Sequence, residues 1–144
     1  MVDIRNRLDS PEVRELVDQL EYPEDIRQAK TGQILAEYRD HPDQPFLGFE
    51  SDGELVGFVG LGLGPPNEAT IRHIAVRRDH RRSGIGSRMI KAVWRMYSLA
   101  GITAEIDRDA VDFYRKVGFA IESLGEKYPG TERFLCCFRA RPMP

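Results

Sequence analysis

A short loop rich in arginine and glycine lies between two patterned stretches of the sequence, and it contains the spacing Arg81-x-x-Gly84-x-Gly86. Residues 71–76 before it have the β-branched content of a strand, and apolar residues after it recur at steps of three and four, as on one face of a helix. The first turn of a helix has unpaired backbone N–H groups and the positive end of the helix dipole, and glycine lets an anion approach them because no Cβ intervenes. The loop therefore predicts a pyrophosphate site, to which Arg81 and Arg82 add positive charge.

The spacing of this loop differs from the two common phosphate-binding motifs. It lacks the G-x-x-x-x-G-K-[ST] pattern of a P-loop and the G-x-G-x-x-G pattern of dinucleotide-binding domains. The alternative interpretation is a solvated basic segment in front of an ordinary amphipathic helix. The formal net charge of the chain is only −2, so the basic cluster is a local feature, which favours a small anionic ligand over a polyanion.

A second stretch that could carry chemistry lies at residues 107–119, which read D-R-D-A-V-D-F-Y-R-K-V-G-F. Ala110, Phe113, Tyr114 and Val117 follow helical spacing and would share one face of a short helix. The phenol of Tyr114, with an ordinary pKa of ~10, could act as a general acid in a reaction. From periodicity alone, the same tyrosine is better explained as a core aromatic residue.

Together, the two stretches resemble motifs of the GNAT superfamily of N-acetyltransferases. The loop matches the acetyl-CoA pattern of that family, [Q/R]-x-x-G-x-[G/A], and the second stretch matches its later pattern, N-x-x-A-x-x-F-Y-x-K-x-G-F, in all but the first residue. Asp107 stands where the family often has Asn, which leaves open the hydrogen bond usually assigned to that Asn. The motifs occur in the order and at the separation typical of the family, and the resemblance extends over essentially the whole chain.

The resemblance implies an α/β (α+β) fold with a single N-acetyltransferase domain over residues 1–144. The sheet would be mixed and mostly antiparallel, with about six or seven strands, about four flanking helices and a splayed parallel pair at its centre. Acetyl-CoA would lie in the gap of that pair as a cosubstrate, and no metal is implied. The residues that the resemblance implies for acetyl-CoA binding are Ile74, Ala75, Val76, Arg81, Arg82, Ser83, Gly84, Ile85, Gly86, Ser87, Asp107 and Phe113.

For the transfer itself, the resemblance makes Tyr114 the acid and the backbone N–H of Ile74 the donor to the oxyanion. The general base stays open between two candidates on the strand that enters the loop. Many relatives carry Glu at the position of Thr70; Glu68 lies two residues earlier and could act through water. His73 has a suitable unperturbed pKa, but its parity differs from that of Glu68 and Thr70 unless a β-bulge intervenes.

The helices that must position these residues can be predicted from their capping signals. Ser10 and Pro11 predict the start of a first helix, and Pro23 predicts the start of a second, which Gly32 would weaken or split. The central helix after the loop is predicted to end just before Gly101, which would take the C′ position.

The strands can be predicted from alternation and turn residues. Asp52-Gly53 predicts a tight hairpin, and the longer of its two strands is apolar on both faces, as expected of a central strand. Strands are predicted at 2–8, 45–51, 54–64, 68–76, 102–106, 119–124 and 133–139, with a loop through 128–130.

Composition narrows the class and location of the protein. The 144 residues, with 41% apolar and 31% charged residues, fit one soluble domain. Cys136 and Cys137 are adjacent on a predicted strand and would point to opposite faces, and the three histidines show no metal spacing, so neither a disulfide nor a metal site is expected. The reducing compartment that this implies, with no signal-peptide pattern or long apolar span, predicts a cytoplasmic protein without a membrane partner.

These observations favour an enzyme, an acetyl-CoA-dependent N-acetyltransferase that acts on a primary amine of a small molecule or peptide. The alternative is a non-catalytic acyl-CoA-binding module, which the missing Glu at position 70 supports. Nucleic acid is not expected as a partner, because no aromatic residues interleave with the basic cluster. The acceptor pocket is expected between residues 10–40 and 126–132, whose acids suit a cationic amine, although solvated helix faces look the same. A monomer or homodimer is expected.

Overall fold

The computed structural model describes residues 1–20 and 22–139, apart from the side chains of residues 127 and 128. Within this part of the chain the strands are β1 (Val2–Asp3), β2 (Phe46–Ser51), β3 (Glu54–Gly64), β4 (Glu68–Val76), β5 (Gly101–Asp107), β6 (Ala120–Tyr128) and β7 (Thr131–Arg139). They form one seven-stranded sheet in the order β1-β2-β3-β4-β5-β7-β6. Neighbouring strands are antiparallel except β4 and β5, which are parallel. The predicted mixed sheet with a central parallel pair is confirmed.

Four α-helices accompany this sheet in the described residues: α1 (Pro11–Val17), α2 (Glu24–Asp40), α3 (Ile85–Met96) and α4 (Val111–Val117). The first helix begins where its capping residues predict, since the Ser10 hydroxyl accepts a hydrogen bond from the Val13 N–H at 3.2 Å. The hairpin between β2 and β3 is also as predicted. Asp52 and Gly53 both have positive φ, 52° and 79°, as a two-residue turn between right-twisted strands requires.

Helices cover both faces of the sheet. On one face, Leu16 of α1 and Tyr38 of α2 pack with Phe58 of β3 in a buried cluster. On the other face, Val93 of α3 packs in a second cluster that includes Val59 of β3. Adjacent residues of β3 therefore serve opposite cores, which explains why this strand is apolar at both parities.

The parallel strands β4 and β5 are joined only at one end. Their pairing covers three residue pairs, Glu68↔Gly101, Ala69↔Ile102 and Thr70↔Thr103. Beyond these pairs, residues of both strands line an open cleft. The splayed pair that the resemblance implies is therefore present, and a cleft lies where its strands diverge.

Gly32 was predicted to weaken or split the second helix, and the splitting is contradicted by the structure. Helix α2 runs without a break from Glu24 to Asp40. A helical glycine costs about 1 kcal/mol relative to alanine, but Ile34, Leu35 and Tyr38 are buried along the inner side of α2. Burial of these three side chains outweighs the local preference, because each contributes roughly 1.5–3 kcal/mol.

Other predicted boundaries also differ from the structure. Strand β6, predicted to end at residue 124, runs to Tyr128, and β7 begins at Thr131, so the predicted loop through 128–130 is shorter. Helix α3 ends at Met96, and Ser98 makes the following turn with φ 48°, so Gly101 is the first residue of β5 and not a helix cap. The first strand is only two residues long, Val2–Asp3, because the chain turns at once into a 3-10 turn at Arg5–Arg7.

Candidate active site

The cleft between the diverging strands has a volume of about 990 Å³. Its walls are β4 from Ile71 onward, β5 from Ala104 onward, the start of α3, and α4. The structure brings together in it most residues predicted for acetyl-CoA binding and for catalysis. These are His73, Ile74, Ala75, Val76, Arg81, Arg82, Gly84, Ile85, Gly86, Ser87, Asp107, Phe113 and Tyr114.

One end of the cleft is formed by the N-terminus of α3, which has no side-chain cap. Gly84 precedes the helix in the left-handed conformation, φ 82°, and offers no side chain to the first-turn N–H groups. The first intrahelical bond runs from the Arg88 N–H to the Gly84 carbonyl at 3.0 Å. The N–H groups of the preceding turn therefore remain available to an anion, in contrast to α1, where Ser10 occupies one of them.

The two loop arginines predicted to add charge differ in their surroundings. The Arg81 guanidinium donates to the carbonyls of Val76 at 2.9 Å and Gln19 at 3.2 Å, so it ties the loop to the end of β4 and to the residues after α1. Arg82 is exposed and has φ 64°. Arg81 thus shapes the anion site through the backbone, and Arg82 is the more accessible cation at its rim.

Helix α4 places Tyr114 in the wall of the cleft. The residue is only 3% exposed, and its ring packs edge-on against those of Phe113 and Phe119, with centroids 5.0 and 5.1 Å away. Burial raises the pKa of Tyr114 above its ordinary value, and the nearby Cys136 adds to the rise. In the described part of the chain its hydroxyl makes no hydrogen bond, so the phenol stays protonated with its donor unused.

Asp107 lies in the same wall but has a local role. Its carboxylate accepts a hydrogen bond from the Asp109 N–H at 3.1 Å and caps the turn that leads into α4. The position therefore supports α4, and through it Tyr114, by a contact that a carboxylate makes as well as an amide oxygen.

A β-bulge in β4 decides where His73 lies. His73 pairs with Gly60 of β3 and Ile71 pairs with Leu61, so Arg72 is an extra residue in the strand. The bulge reverses the face of the sheet on which each later residue of β4 lies. His73 therefore lies on the same face as Thr70, as a role for His73 as general base requires.

His73 sits in a small polar cluster against α2. Its Nδ1 is 2.7 Å from the Tyr38 hydroxyl and 4.0 Å from Oε2 of Glu37, whose Oε1 accepts a hydrogen bond from Arg72 at 2.6 Å. Burial lowers the pKa of His73; Glu37 opposes this shift and Arg72 reinforces it. The imidazole is therefore neutral at neutral pH.

Sequence reasoning missed Glu37 and Tyr38 as neighbours of the site. The spacing of Tyr38 from Ile34 and Leu35 in the sequence indicates only the apolar side of a helix, and its contact with His73 joins residues 35 positions apart. The signal that could have drawn attention to it is an aromatic hydroxyl on a buried helix face, because a buried tyrosine usually finds a partner.

Two predicted site residues lie outside the cleft. Glu68 is at the closed end of the parallel pair, where its carboxylate is 2.5 Å from the Arg139 guanidinium. At the same end, the hydroxyls of Thr70 and Thr103 are 3.2 Å apart across the strands. Ser83 is exposed, and its hydroxyl donates to the His80 carbonyl at 2.5 Å. Of the two base candidates, only His73 borders the space where a substrate fits.

Several acids of the first two helices, expected to attract a cationic acceptor, face partners within the protein. Glu15 is 3.4 Å from Arg77, and Glu37 binds Arg72. On the last hairpin, Glu132 is 2.6 Å from Arg108. These paired carboxylates give little free negative charge to an acceptor site.

No group of three or more His, Cys, Asp or Glu side chains among the described residues could hold a metal ion. In the same residues, no helix combines the length and the apolar character that crossing a membrane requires.

Comparison with known proteins places the chain in a family. The model of the Acetyltransferase (GNAT) family matches residues 9–119, and the chain belongs to this family. A relative named uncharacterized N-acetyltransferase in lysA 3′ region, from Bacillus methanolicus, is 29% identical over 68 residues, 47% of this chain. The N-alpha-acetyltransferase RimI of Mycobacterium tuberculosis is 31% identical over 93 residues, 60% of this chain. The chain spans 57% and 59% of the lengths of these two relatives.

Solved structures show the same fold. A protein from Desulfovibrio desulfuricans assigned to the GNAT acetyltransferases has a TM-score of 0.75 over 92% of this chain and 93% of its own, at 19% identity, which bears on the fold alone. A protein from Bacillus anthracis, assigned as a streptothricin acetyltransferase and solved with acetyl coenzyme A, has a TM-score of 0.63 and 25% identity over 74% of this chain and 68% of its own.

Proposed function

We propose that this protein is an acetyl-CoA-dependent N-acetyltransferase that transfers the acetyl group directly to a primary amine of a small molecule or peptide. The observation that carries the proposal is the cleft of the splayed pair, which has the uncapped start of α3 at one end and Tyr114 in its wall. Acetyl-CoA bound to the relative from Bacillus anthracis supports the same ligand here.

In the proposed binding mode, each part of acetyl-CoA meets a different part of the cleft. The pyrophosphate lies on the N–H groups of residues 82–87, and Arg82 adds charge at the rim. The pantetheine runs along residues 74–76, where β4 has lost its parallel neighbour and has backbone groups to offer. The thioester then lies near Ile74, and Phe113 and Tyr114 close the other side.

The proposed transfer step follows from these placements. The neutral amine attacks the thioester carbonyl, a C–N bond forms, and the backbone N–H of Ile74 donates to the oxyanion. When the C–S bond breaks, Tyr114 donates its proton to the sulfur and regains one from solvent, while the nitrogen releases one proton. The raised pKa of Tyr114 keeps the phenol protonated, and it also makes the phenol a weaker acid toward the departing sulfur.

A thiol-release assay with a panel of amines, polyamines, aminoglycosides and peptides tests the proposal. We expect acetyl-CoA to yield free CoA only with particular amines, and the product to gain one acetyl group by mass spectrometry. Comparing cationic with uncharged amines in the panel also tests whether the acceptor is cationic. Glu15 of α1 and Glu37 of α2 are paired with arginines, and this pairing does not favour a cationic acceptor.

The second candidate function is a non-catalytic acyl-CoA-binding module. It is favoured by the absence of a carboxylate from the part of β4 that lines the cleft, since position 70 is Thr and Glu68 is paired with Arg139. Tight CoA binding without turnover for any amine in the panel would select this candidate. Two free thiols, Cys136 and Cys137, fit a reducing compartment, and we propose the cytoplasm as the location.

A further inference from the structure

We infer that Tyr38 holds His73 as the neutral tautomer with its proton on Nε2, so that His73 offers a hydrogen-bond donor, and not a base, to the acceptor end of the cleft. The tautomer is a property of the free protein. Its use in substrate binding rests on the proposed function. In this role His73 helps to select the acceptor and is not the general base.

The hydroxyl of Tyr38 lies in a buried part of the protein. Tyr38 is 1% exposed, and its ring stacks on Phe46 with a centroid distance of 4.7 Å. Among the described residues, the only hydrogen-bond partner of its hydroxyl is His73 Nδ1, at 2.7 Å. Burial, and then the charge of Glu37, raise the pKa of Tyr38, with Arg72 opposing, so the hydroxyl keeps its proton.

Only one tautomer of His73 satisfies the hydroxyl proton of Tyr38. If Nδ1 carried the proton, it would donate to the tyrosine oxygen, and the Tyr38 proton would be buried without an acceptor. An unsatisfied buried donor costs about 1–3 kcal/mol. If the Tyr38 hydroxyl donates to a bare Nδ1, its one proton is satisfied. The neutral ring then has its own proton on Nε2, the nitrogen left for the cleft that His73 borders.

The absence of a side chain at Gly60 makes room for the tyrosine hydroxyl beside His73. The hydroxyl end of Tyr38 lies over Gly60 of β3, where an added Cβ would overlap the phenol oxygen and ring carbons. Gly60 is also the residue paired with His73 across the sheet. The β-bulge at Arg72 and the missing side chain at Gly60 together create the space in which Tyr38 and His73 meet.

Burial, more than the surrounding charges, keeps the ring of His73 neutral. The groups that face it are Glu37 and Tyr38 from α2 and Arg72 on its own strand, while β3 offers only Gly60. The carboxylate of Glu37 is already bound to Arg72, and its free oxygen is 4.0 Å from Nδ1, too far for a hydrogen bond. Glu37 favours an imidazolium and Arg72 opposes it, while burial, the strongest influence on the pKa of His73, favours the neutral ring.

A neutral donor at this position selects acceptors by an oxygen atom. We expect productive amines to carry a hydrogen-bond acceptor, a carbonyl or hydroxyl oxygen, close to the nitrogen that is acetylated. A peptide offers a backbone carbonyl and an amino alcohol offers a hydroxyl. Matched amines with and without that oxygen, and with either type of oxygen, separate these sources in the acetylation assay.

The direct test is nitrogen NMR of the His73 ring in the free protein above pH 7. We expect the proton on Nε2 in the wild type, and a mixture of tautomers in Tyr38→Phe, which keeps the stacked ring and removes the hydroxyl. A proton on Nδ1 in the wild type would overturn the inference. This measurement needs no substrate, so its outcome does not depend on whether the protein acetylates anything.

The second test compares two replacements of His73 in steady-state kinetics. The amide nitrogen of His73→Gln reaches the position of Nε2, whereas that of His73→Asn reaches the position of Nδ1. We expect Gln to retain kcat/KM for the acceptor within about threefold, and Asn to lose about tenfold, mainly through a higher KM. Equal, large losses of kcat in both variants would instead make His73 the base.

Measuring the affinity of the same variants for CoA distinguishes a failure of the proposed acetyltransferase function from a failure of the inference on the His73 tautomer. His73 is not part of the pyrophosphate site at the start of α3, so CoA should bind these variants with nearly wild-type affinity. A wild-type protein that fails to bind CoA would overturn the proposed function and leave the NMR result on the tautomer intact.

Discussion

The ring of Phe113 on α4 lies directly against Gly86 in the first turn of α3. A Cβ on Gly86 would be 2.8 Å from Cε1 of Phe113, closer than real Cβ contacts come. We expect Gly86→Ala to push the ring toward the cleft, to weaken CoA binding, and to destabilise the fold by about 1–3 kcal/mol. Calorimetric titration with CoA and thermal unfolding measure the two effects.

Gly84→Ala is the matched control. Gly84 has φ 82° and open space around it, so alanine there strains the backbone by about 1–2 kcal/mol without touching Phe113. A second substitution, Phe113→Ala, should relieve the steric effect of Gly86→Ala and not the strain of Gly84→Ala. The steric account is wrong if the second substitution has the same effect on both.

Tyr114→Phe should remove the proton donor and leave the packing nearly unchanged. The ring contacts with Phe113 and Phe119 are kept, so the melting temperature and CoA affinity should stay close to those of the wild type. Turnover should fall by ~10²-fold or more, the usual scale for a positioned acid, and the loss should appear in kcat. Wild-type kcat in this variant would mean that Tyr114 is a core residue and that water protonates the thiolate.

Glu68→Gln tests the base candidate that the structure places outside the cleft. Glu68 faces Arg139 at the closed end of the parallel pair, and the arginine is more than half exposed. We expect kcat to be unchanged within about twofold and stability to fall by no more than about 1 kcal/mol, as for a solvent-screened ion pair. A collapse of kcat with unchanged CoA affinity would restore Glu68 as the base.

The burial of His73 predicts a dependence of stability on pH. Burial lowers its pKa, so between the folded and unfolded pKa values the unfolded chain holds more protons than the folded chain. The stabilising effect of a neutral His73 is fully present above its ordinary pKa, about 6.5, and is lost as the pH falls below it.

Thermal unfolding from pH 8 down to 5 measures this effect, with His73→Gln as the reference. The variant keeps the other titrating groups and lacks the imidazole, so its melting temperature should fall less steeply below about pH 6.5. Parallel curves for the two proteins would show that His73 is not desolvated in the folded state.

The parts of the site that are local in sequence could be predicted. The glycine-containing loop is followed directly by the first turn of α3, and Tyr114 lies within a 13-residue motif. One short segment of sequence therefore contains most of the information needed to predict each of these two parts of the site. The hairpin at Asp52 and Gly53 is equally local. For such segments, backbone preference and hydrophobic period point to the same structure.

The surroundings of His73 could not be predicted, because they depend on packing between distant segments. Its face was decided by one extra residue, Arg72, and its hydrogen bond by a tyrosine 35 positions earlier on α2. Likewise, Gly32 was expected to interrupt α2 on local preference, whereas the burial of its neighbours holds the helix together. Register shifts and helix packing leave little trace in a single sequence.

The short seam between β4 and β5 also bears on how the molecule opens. The sheet divides there into a four-stranded and a three-stranded part, joined by three residue pairs and by a buried apolar cluster that contains residues of both parts. Native-state hydrogen exchange should therefore resolve two cooperative units that open separately in the free protein. A ligand that bridges the gap holds both units at once, and it should merge them into a single unit with a common free energy of opening.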